Sequence, residues 1–181
     1  MTNPSQTEPT ATFTYKLFDP SNNIVEESTT DISFTATAGG FGTISVSAEK
    51  TGINEDLVKY TFTMRPQDTF TSNAIIKITC PTQIFVESEA RVSGGTGGLI
   101  DTATANTDVK FNRIIYVYDA FPNGMTEVQT FDIELSGFTN PSTTQPTDSF
   151  KVKIFYTEDI NEVSNYAGSA LTLTATPSTV L

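Results

Sequence analysis

Apolar and polar residues alternate with a period of two along most of the chain. In residues 57–64 (LVKYTFTM), for example, Val58, Tyr60 and Phe62 are separated by polar side chains. Such alternation predicts half-buried β-strands, because successive side chains of a strand point to opposite faces of a sheet. The pattern predicts strands at 11–18, 23–28, 31–37, 43–49, 57–64, 73–79, 83–87, 109–118, 127–135, 149–156 and 170–176. Without any amphipathic run of helical period, the chain is predicted to be all-β and antiparallel, with a flexible glycine-rich loop at 93–98 (SGGTGG).

One phrase occurs twice, near the two ends of the chain. Residues 2–18 (TNPSQTEPTATFTYKLF) and 139–155 (TNPSTTQPTDSFKVKIF) share ten identities in seventeen positions. The match resumes at 32–37 (ISFTAT) and 171–176 (LTLTAT). Turn words such as Asn-Pro-Ser do not explain why two Phe and one Lys also fall in register. We define the repeat motif, and the candidate assembly residues, as Asn3, Pro4, Pro9, Phe13, Leu17 and Phe34 in the first copy and Asn140, Pro141, Pro146, Phe150, Ile154 and Leu173 in the second.

The spacing of the two phrases predicts the domain organisation. A period of 137 to 139 residues is too long for a solenoid unit and fits a whole β-sandwich repeated in tandem. We therefore predict that residues 1–40 are the C-terminal third of one sandwich and that residues 41–181 are a complete second one. The stretch 38–42 (AGGFG) is the predicted linker.

The first forty residues are predicted to need a partner. At about 25 cal/mol per Å², an uncovered apolar sheet face costs several kcal/mol, and its strand edges invite association. The partner is either a neighbouring repeat of the same longer chain or another copy of the protein that completes the sandwich by strand addition. A head-to-tail contact that does not close generates a filament.

Composition excludes several other classes of function. The net charge of −11 disfavours nucleic acid and anionic lipid surfaces as partners. The sequence contains no run of 18 apolar residues, so no membrane span is predicted. The absence of His rules out Ser-His-Asp and Cys-His catalysis, and the neighbouring carboxylates Asp132 and Glu134 read as an ordinary solvated strand face. We predict that the protein is not an enzyme. The single Cys80 reads as a buried thiol, with an interchain disulfide as the alternative.

No cofactor is predicted, with calcium as the alternative. Hard oxygen ligands at the predicted loop ends are Glu55, Asp56, Asp101, Asp108, Asp119, Glu158, Asp159 and Asn161. The D-x-[DN]-x-[DN]-G pattern of a dedicated calcium loop is missing from the sequence. The sequence therefore predicts no particular calcium site.

The strand words resemble those of a known group of proteins. Residues 61–64 (TFTM) with 73–81 (NAIIKITCP), and 139–150 with 174–177 (TATP), resemble blocks that recur in very large secreted or cell-surface repeat proteins of ciliates and other protists. The resemblance covers 41–181 once and 2–40 as a partial second copy. It implies an immunoglobulin-like β-sandwich module with a structural or adhesive role in an extracellular or cell-surface chain. Cys80 departs from the pattern, where an aromatic residue is usual.

From the repeat and the resemblance together we predict a structural module of an extracellular filament or surface coat. The modules would assemble end to end as each completes the sandwich edges of the next. The alternative is an adhesin-type module that recognises a glycan or a protein, in a calcium-dependent manner if ions line its loops.

Overall fold

The computed structural model describes residues 15–27, 39–97, 99–157, 160–168 and 171–177. This part of the chain contains β-strands and loops, and no helix in it is long and apolar enough to cross a membrane. The strands are β1 (Lys16–Phe18), β2 (Ile24–Glu27), β3 (Phe41–Ala48), β4 (Val58–Pro66), β5 (Ile75–Thr79), β6 (Phe85–Gly95), β7 (Asn106–Lys110), β8 (Ile114–Tyr118), β9 (Phe131–Thr139), β10 (Lys151–Thr157) and β11 (Ile160–Tyr166).

Strands β3 to β11 form two antiparallel sheets with one core between them. The four-stranded sheet has the order β3-β4-β9-β6, and the five-stranded sheet has the order β11-β10-β5-β8-β7. The neighbours β3-β4-β9-β6 and β11-β10-β5 correspond to the A-B-E-D and G-F-C strands of an immunoglobulin-like sandwich. The predicted all-β, antiparallel, immunoglobulin-like sandwich is confirmed.

The core is built by the alternation that the sequence shows. In β4 the inward side chains Val58, Tyr60, Phe62 and Met64 are fully buried, while the residues between them are partly or fully exposed. On the facing sheet, β10 contributes Val152 and Ile154 to the same core. Each inward position hides an apolar side chain from water, and the outward position keeps the sheet soluble.

Aromatic rings fill the two ends of this core. At one end, Phe70, Phe121 and Phe131 meet edge to face, with centroids 4.7 to 6.3 Å apart. Towards the other end, the Tyr60 ring stacks on Phe138 with a centroid separation of 4.3 Å, and Phe150 packs edge-on against the Tyr60 ring. These contacts hold the sheets together along their length.

The chain enters and leaves the sandwich at opposite ends. Phe41, the first residue of β3, lies beside Pro66 at the C-terminal end of β4. Thr176 is bonded to Thr51 and Ile53, in the loop before the N-terminal end of β4: Ile53 N donates to Thr176 O at 3.0 Å, and Thr176 N to Thr51 O. We call these the Pro66 end and the Leu57 end. Nine-residue β4 separates them by about 26 Å at 3.3 Å per residue.

Two residues of the predicted linker at 38–42, Gly39 and Gly40, are hydrogen-bonded to the sandwich, and Phe41 already begins β3. Gly39 N donates to Val163 O at 2.9 Å, and Asn165 N donates to Gly39 O at the same distance. Gly40 N donates to Gln67 Oε1 at 3.0 Å. The sandwich therefore takes up the chain from Gly39 onward. The predicted division after residue 40 into two repeats stays a prediction.

The predicted single strand at 109–118 is wrong. β7 ends at Lys110 and β8 begins at Ile114, and between them Phe111 and Asn112 have φ angles of 55° and 53°. Asn tolerates this left-handed region, but a bulky aromatic residue adopts it rarely. Because Phe111 is not a typical turn residue, the sequence does not indicate this turn.

Three further elements differ from the predictions. β11 was not predicted. The segment 93–95, predicted to begin a flexible loop, is the end of β6. Residues 171–175, predicted to be a strand, alternate in burial as a strand would, but only Thr176 makes a ladder bridge, to Gly52. The strand predicted at 31–37 lies outside the described residues.

The first prediction compares two positions that the repeat makes equivalent. Ile154→Ala should lower the free energy of unfolding by about 2–5 kcal/mol, because Ile154 is fully buried and truncation leaves a cavity. Leu17→Ala should change it by less than about 0.5 kcal/mol, because Leu17 is 52% exposed. Urea denaturation of the two variants beside the parent chain measures both values. Equal losses would contradict the view that Leu17 lacks the cover that Ile154 has.

Candidate assembly site

The hairpin of β1 and β2 repeats the geometry of the hairpin of β10 and β11. The Cα partners are Lys16–Glu27, Leu17–Glu26 and Phe18–Ile24 in the first, and Lys153–Asn165, Ile154–Ser164 and Phe155–Glu162 in the second. Each β1 residue stands 137 positions before its counterpart (153 − 16), and each β2 residue stands 138 before (165 − 27). Both hairpins also shift register at the same step, between Leu17 and Phe18 and between Ile154 and Phe155. The two hairpins are therefore the same structural unit.

The two hairpins differ in what covers them. Val152 and Ile154 are fully buried and Val163 is 6% exposed, because the four-stranded sheet lies over them. Their counterparts Tyr15, Leu17 and Val25 are 45%, 52% and 69% exposed. Phe18 and Ile24 are half exposed as well. The first hairpin thus presents to water the side chains that the second one buries.

Local hydrogen bonds hold the first hairpin in shape. Asp19 Oδ1 accepts from Ser21 N at 2.9 Å and from Asn23 N at 2.8 Å, which closes the turn. The hydrogen bonds from Asn23 lower the pKa of Asp19. At the open end, Lys16 Nζ lies 2.8 Å from Glu27 Oε1. Tyr15 OH donates to Glu26 Oε1 at 2.8 Å, and this bond raises the pKa of Tyr15.

In the second copy of the motif, Asn140 is a buried clamp. Its Nδ2 donates to Lys50 O at 2.9 Å and to Gly52 O at 2.8 Å. Its Oδ1 accepts from Tyr60 OH at 2.8 Å, and its backbone N donates to Glu55 O. Burial raises the pKa of Tyr60, which keeps this hydroxyl a donor. One amide therefore ties the loop before β4 to the core.

The other motif residues of the second copy form the core or its border. Phe150 and Ile154 are fully buried and Leu173 is 8% exposed. Pro141 is buried next to the clamp, and Pro146 is exposed. Thr147 joins the last segment to this group, because its N donates to Leu173 O and its Oγ1 accepts from Leu173 N at 3.0 Å. In the first copy, only Leu17 can be compared, since Asn3, Pro4, Pro9, Phe13 and Phe34 lie outside the described residues.

Sequence reasoning missed an apolar group at the Leu57 end of the sandwich. Leu57, Phe85 and Phe111 are 72%, 45% and 81% exposed, and we call them the end patch. Leu57 comes just before Val58, which pairs with Phe138. Phe85 pairs with Thr139. The turn that carries Phe111 is fixed at the same end, because Val86 N donates to Asn112 O at 3.0 Å. Leu57 and Phe111 both have a φ angle of 55°. Neither residue type favours this conformation, so the sequence does not indicate it.

The remaining candidates for chemistry serve the fold. Cys80 is 2% exposed, and burial raises the pKa of its thiol, which agrees with the buried-thiol prediction. Asp132 accepts from Thr63 Oγ1 at 2.6 Å and from Thr96 Oγ1 at 2.8 Å. Glu134 Oε2 lies 3.2 Å from Lys59 Nζ.

The calcium alternative gains no site from the described residues. Among them, no three His, Cys, Asp or Glu side chains are grouped so as to hold a metal ion. Four of the candidate ligands make protein contacts. Asp56 Oδ1 accepts from Thr139 Oγ1 at 2.9 Å, and Asp101 Oδ1 accepts from Ala103 N at 2.9 Å. Asp119 Oδ2 accepts from Asn106 Nδ2 at 3.3 Å, and Asp108 Oδ2 lies 3.7 Å from Lys110 Nζ. Glu158 and Asp159 lie outside the described residues.

Comparison with known proteins supplies no family. No protein-family model and no curated protein matches the sequence. Among solved structures, ChBD3 from Thermococcus kodakarensis KOD1 matches with a TM-score of 0.33 and 12% identity, and ChBD2 from the same organism with 0.31 and 13%. Each match covers 72% of this chain and all of that one. Similarity at this level transfers neither a site nor a ligand to the chain. The comparisons do not support the resemblance to the repeat proteins of ciliates.

The second prediction concerns the Asn140 clamp. Asn140→Ala should lower the free energy of unfolding by about 2–4 kcal/mol, because it leaves the Tyr60 hydroxyl and buried backbone groups without partners. Tyr60→Phe removes one end of the same network. The double variant should therefore lose less than the sum of the two single losses. Urea denaturation of the four proteins gives the coupling, and strict additivity would show that the 2.8 Å hydrogen bond is not a stabilising link.

Proposed function

We propose that the protein is a structural module that assembles end to end in an extracellular filament or surface coat. The observation that carries the proposal is the duplicated hairpin: the chain holds two copies of one sandwich edge, and only the second is covered. The extracellular setting rests on the sequence resemblance. The partners in this proposal are neighbouring repeats of the same chain or other copies of it.

The direction of the chain supports a linear arrangement. A sandwich that is entered at the Pro66 end and left at the Leu57 end places successive modules one after the other. A repeated contact of this head-to-tail kind does not close on itself unless its rotation happens to complete a ring, so it produces a filament.

Charge supports separation of the filaments from one another. The chain carries 21 acidic and 10 basic residues. Such a net negative surface disfavours side-to-side association and leaves the exposed apolar hairpin as the adhesive part. Lateral repulsion together with axial attraction favours thin fibres over amorphous aggregates.

The third prediction tests assembly by electron microscopy. At rising concentration the full chain should form linear particles with an axial repeat of about 40–50 Å, the length of a module whose longest strands have nine to eleven residues, with loops added. Leu17→Glu with Val25→Glu should abolish them, because these charges enter the uncovered apolar face. Ser45→Glu with Ser47→Glu adds the same charge at exposed positions of β3 and serves as the control. Single, unassociated modules at every concentration would refute the filament.

A second candidate function is an adhesin-type binding module, and the end patch favours it. Two of its three residues hold a left-handed backbone that Leu and Phe adopt rarely, and this costs of order 1–3 kcal/mol each. Stability does not explain an exposed Phe111 in such a conformation. A role in recognising a glycan or a protein does, since exposed aromatic side chains are common anchors of binding.

The fourth prediction separates stability from binding at this patch. Phe111→Gly should leave the unfolding free energy unchanged or raise it by up to about 1 kcal/mol, because Gly adopts positive φ without strain. The same variant should lower any measured affinity for a glycan or protein at least about tenfold. Glycan-array and pull-down measurements, with Val128→Gly as the exposed apolar control, read out binding. Unchanged binding by Phe111→Gly would remove the end patch as a recognition site.

A further inference from the structure

We propose that the free side of β1 is the docking site for the β5 strand of another sandwich repeat that has no β10 and β11 of its own, aligned as β10 is with β5. This inference rests on the proposed end-to-end assembly and names the segments that meet. The occupant is thus Ile75–Thr79 of another sandwich.

The covered hairpin shows what belongs beside the uncovered one. β10 pairs with β11 on one side and with β5 on the other. Its partners on β5 are Ile76 for Ile154, Lys77 for Lys153 and Ile75 for Phe155. In the described part of the chain, β1 pairs with β2 alone. Shifting by 137 positions places Leu17 opposite Ile76, Lys16 opposite Lys77 and Phe18 opposite Ile75.

The β5 strand of the same molecule is not available. It already lies between β10 and β8, with both of its edges paired. A strand that has two neighbours in a sheet accepts no third. The same holds for every complete copy of the sandwich, in which β10 occupies that edge. The partner of β1 is therefore the β5 strand of a repeat without its own β10 and β11, whose place β1 and β2 take.

The opposite edge of the hairpin is protected against pairing. β2 carries Glu26 and Glu27 where β11 carries Ser164 and Asn165. In the sandwich, Ser164 is fully buried and bridges to Gly39. Charged side chains at the same positions of an edge strand disfavour pairing with a further strand. The β1 edge, which carries Leu17 and Phe18, is the one left for docking.

Three apolar side chains of the first hairpin match buried side chains of the sandwich in kind. Tyr15, Leu17 and Val25 stand where Val152, Ile154 and Val163 face the core. All three are at least 45% exposed in the first hairpin. A copy of the sandwich that lacks its own β10 and β11 offers a core with the place for them.

The fifth prediction uses a fusion that supplies the missing strands. Residues 41–138 are joined ahead of residues 2–181, with Phe138 followed by Thr2, since Thr2 is the counterpart of Thr139. All variants carry Cys80→Ala in both copies. Lys16→Cys in the full chain is combined with Lys77→Cys in the added segment. We expect a disulfide between them under mild oxidation, seen by peptide mass spectrometry.

Two controls set the scale of this experiment. In the unmodified sandwich, Lys153→Cys with Lys77→Cys tests the same pair of strands, where the two residues are Cα partners. Lys16→Cys with Thr79→Cys in the added segment is two residues out of register. We expect a yield within a factor of about two of the first control and at least about tenfold above the second, because a disulfide needs Cα atoms within about 7 Å.

The outcomes distinguish the inference from the proposed function. A disulfide at the predicted pair supports the docking register even if no filament is ever seen. Filaments of the full chain without that disulfide leave the assembly standing and overturn the register. As a second measurement, Leu17→Ala should lower the melting temperature of the fusion by several degrees, although the same substitution should leave the stability of the parent chain almost unchanged. No disulfide, equal yields in and out of register, or an added segment that stays unfolded would overturn the inference.

Discussion

The apolar side of a β-hairpin is stable in water only where a second sheet covers it, and the architecture of this protein depends on that cover. Ile154 and Val163 are buried because β10 and β11 lie against the four-stranded sheet. The same unit occurs at β1 and β2 with its apolar side chains exposed. Hydrophobic burial is roughly proportional to the area removed from water, so the two hairpins differ by several kcal/mol in the stability they gain. Covering the apolar side of the first hairpin would lower the free energy, and this favours association.

The fold could be predicted from the sequence wherever burial alternates strictly. β4 and β9 lie in the middle of their sheet, their inward residues are apolar, and the period of two marks them clearly. β11 could not be predicted, because its register shift breaks the alternation and brings Val163 rather than Ser164 into the core cluster. The turn at Phe111 could not be predicted either, since the left-handed backbone is imposed by the surrounding strands rather than by the residue itself.

For the candidate assembly site, the repeat in the sequence shows which residues recur, but it does not show what these residues contact. Asn140 reads as a turn residue, and its partners Lys50 and Gly52 are 90 and 88 positions away. The end patch is assembled from three separate loops and strands, and no local pattern joins Leu57 to Phe111. Repetition is visible in a sequence because it compares like with like, whereas such long-range pairs need the fold.

The direction of the strands also bears on a mechanical role. β5 and β10 lie antiparallel to each other along the length of the sandwich, which is the axis along which modules would follow one another. A pull along that axis loads the hydrogen bonds between two antiparallel strands in shear, so that several must break together. A contact confined to the exposed tips of loops would instead yield one bond at a time. Docking of β1 on a β5 strand would therefore make the joint between modules as resistant as the module itself. A filament of such modules would have no weak link at its joints, and this is the property that favours completion of a sheet over a patch-to-patch contact.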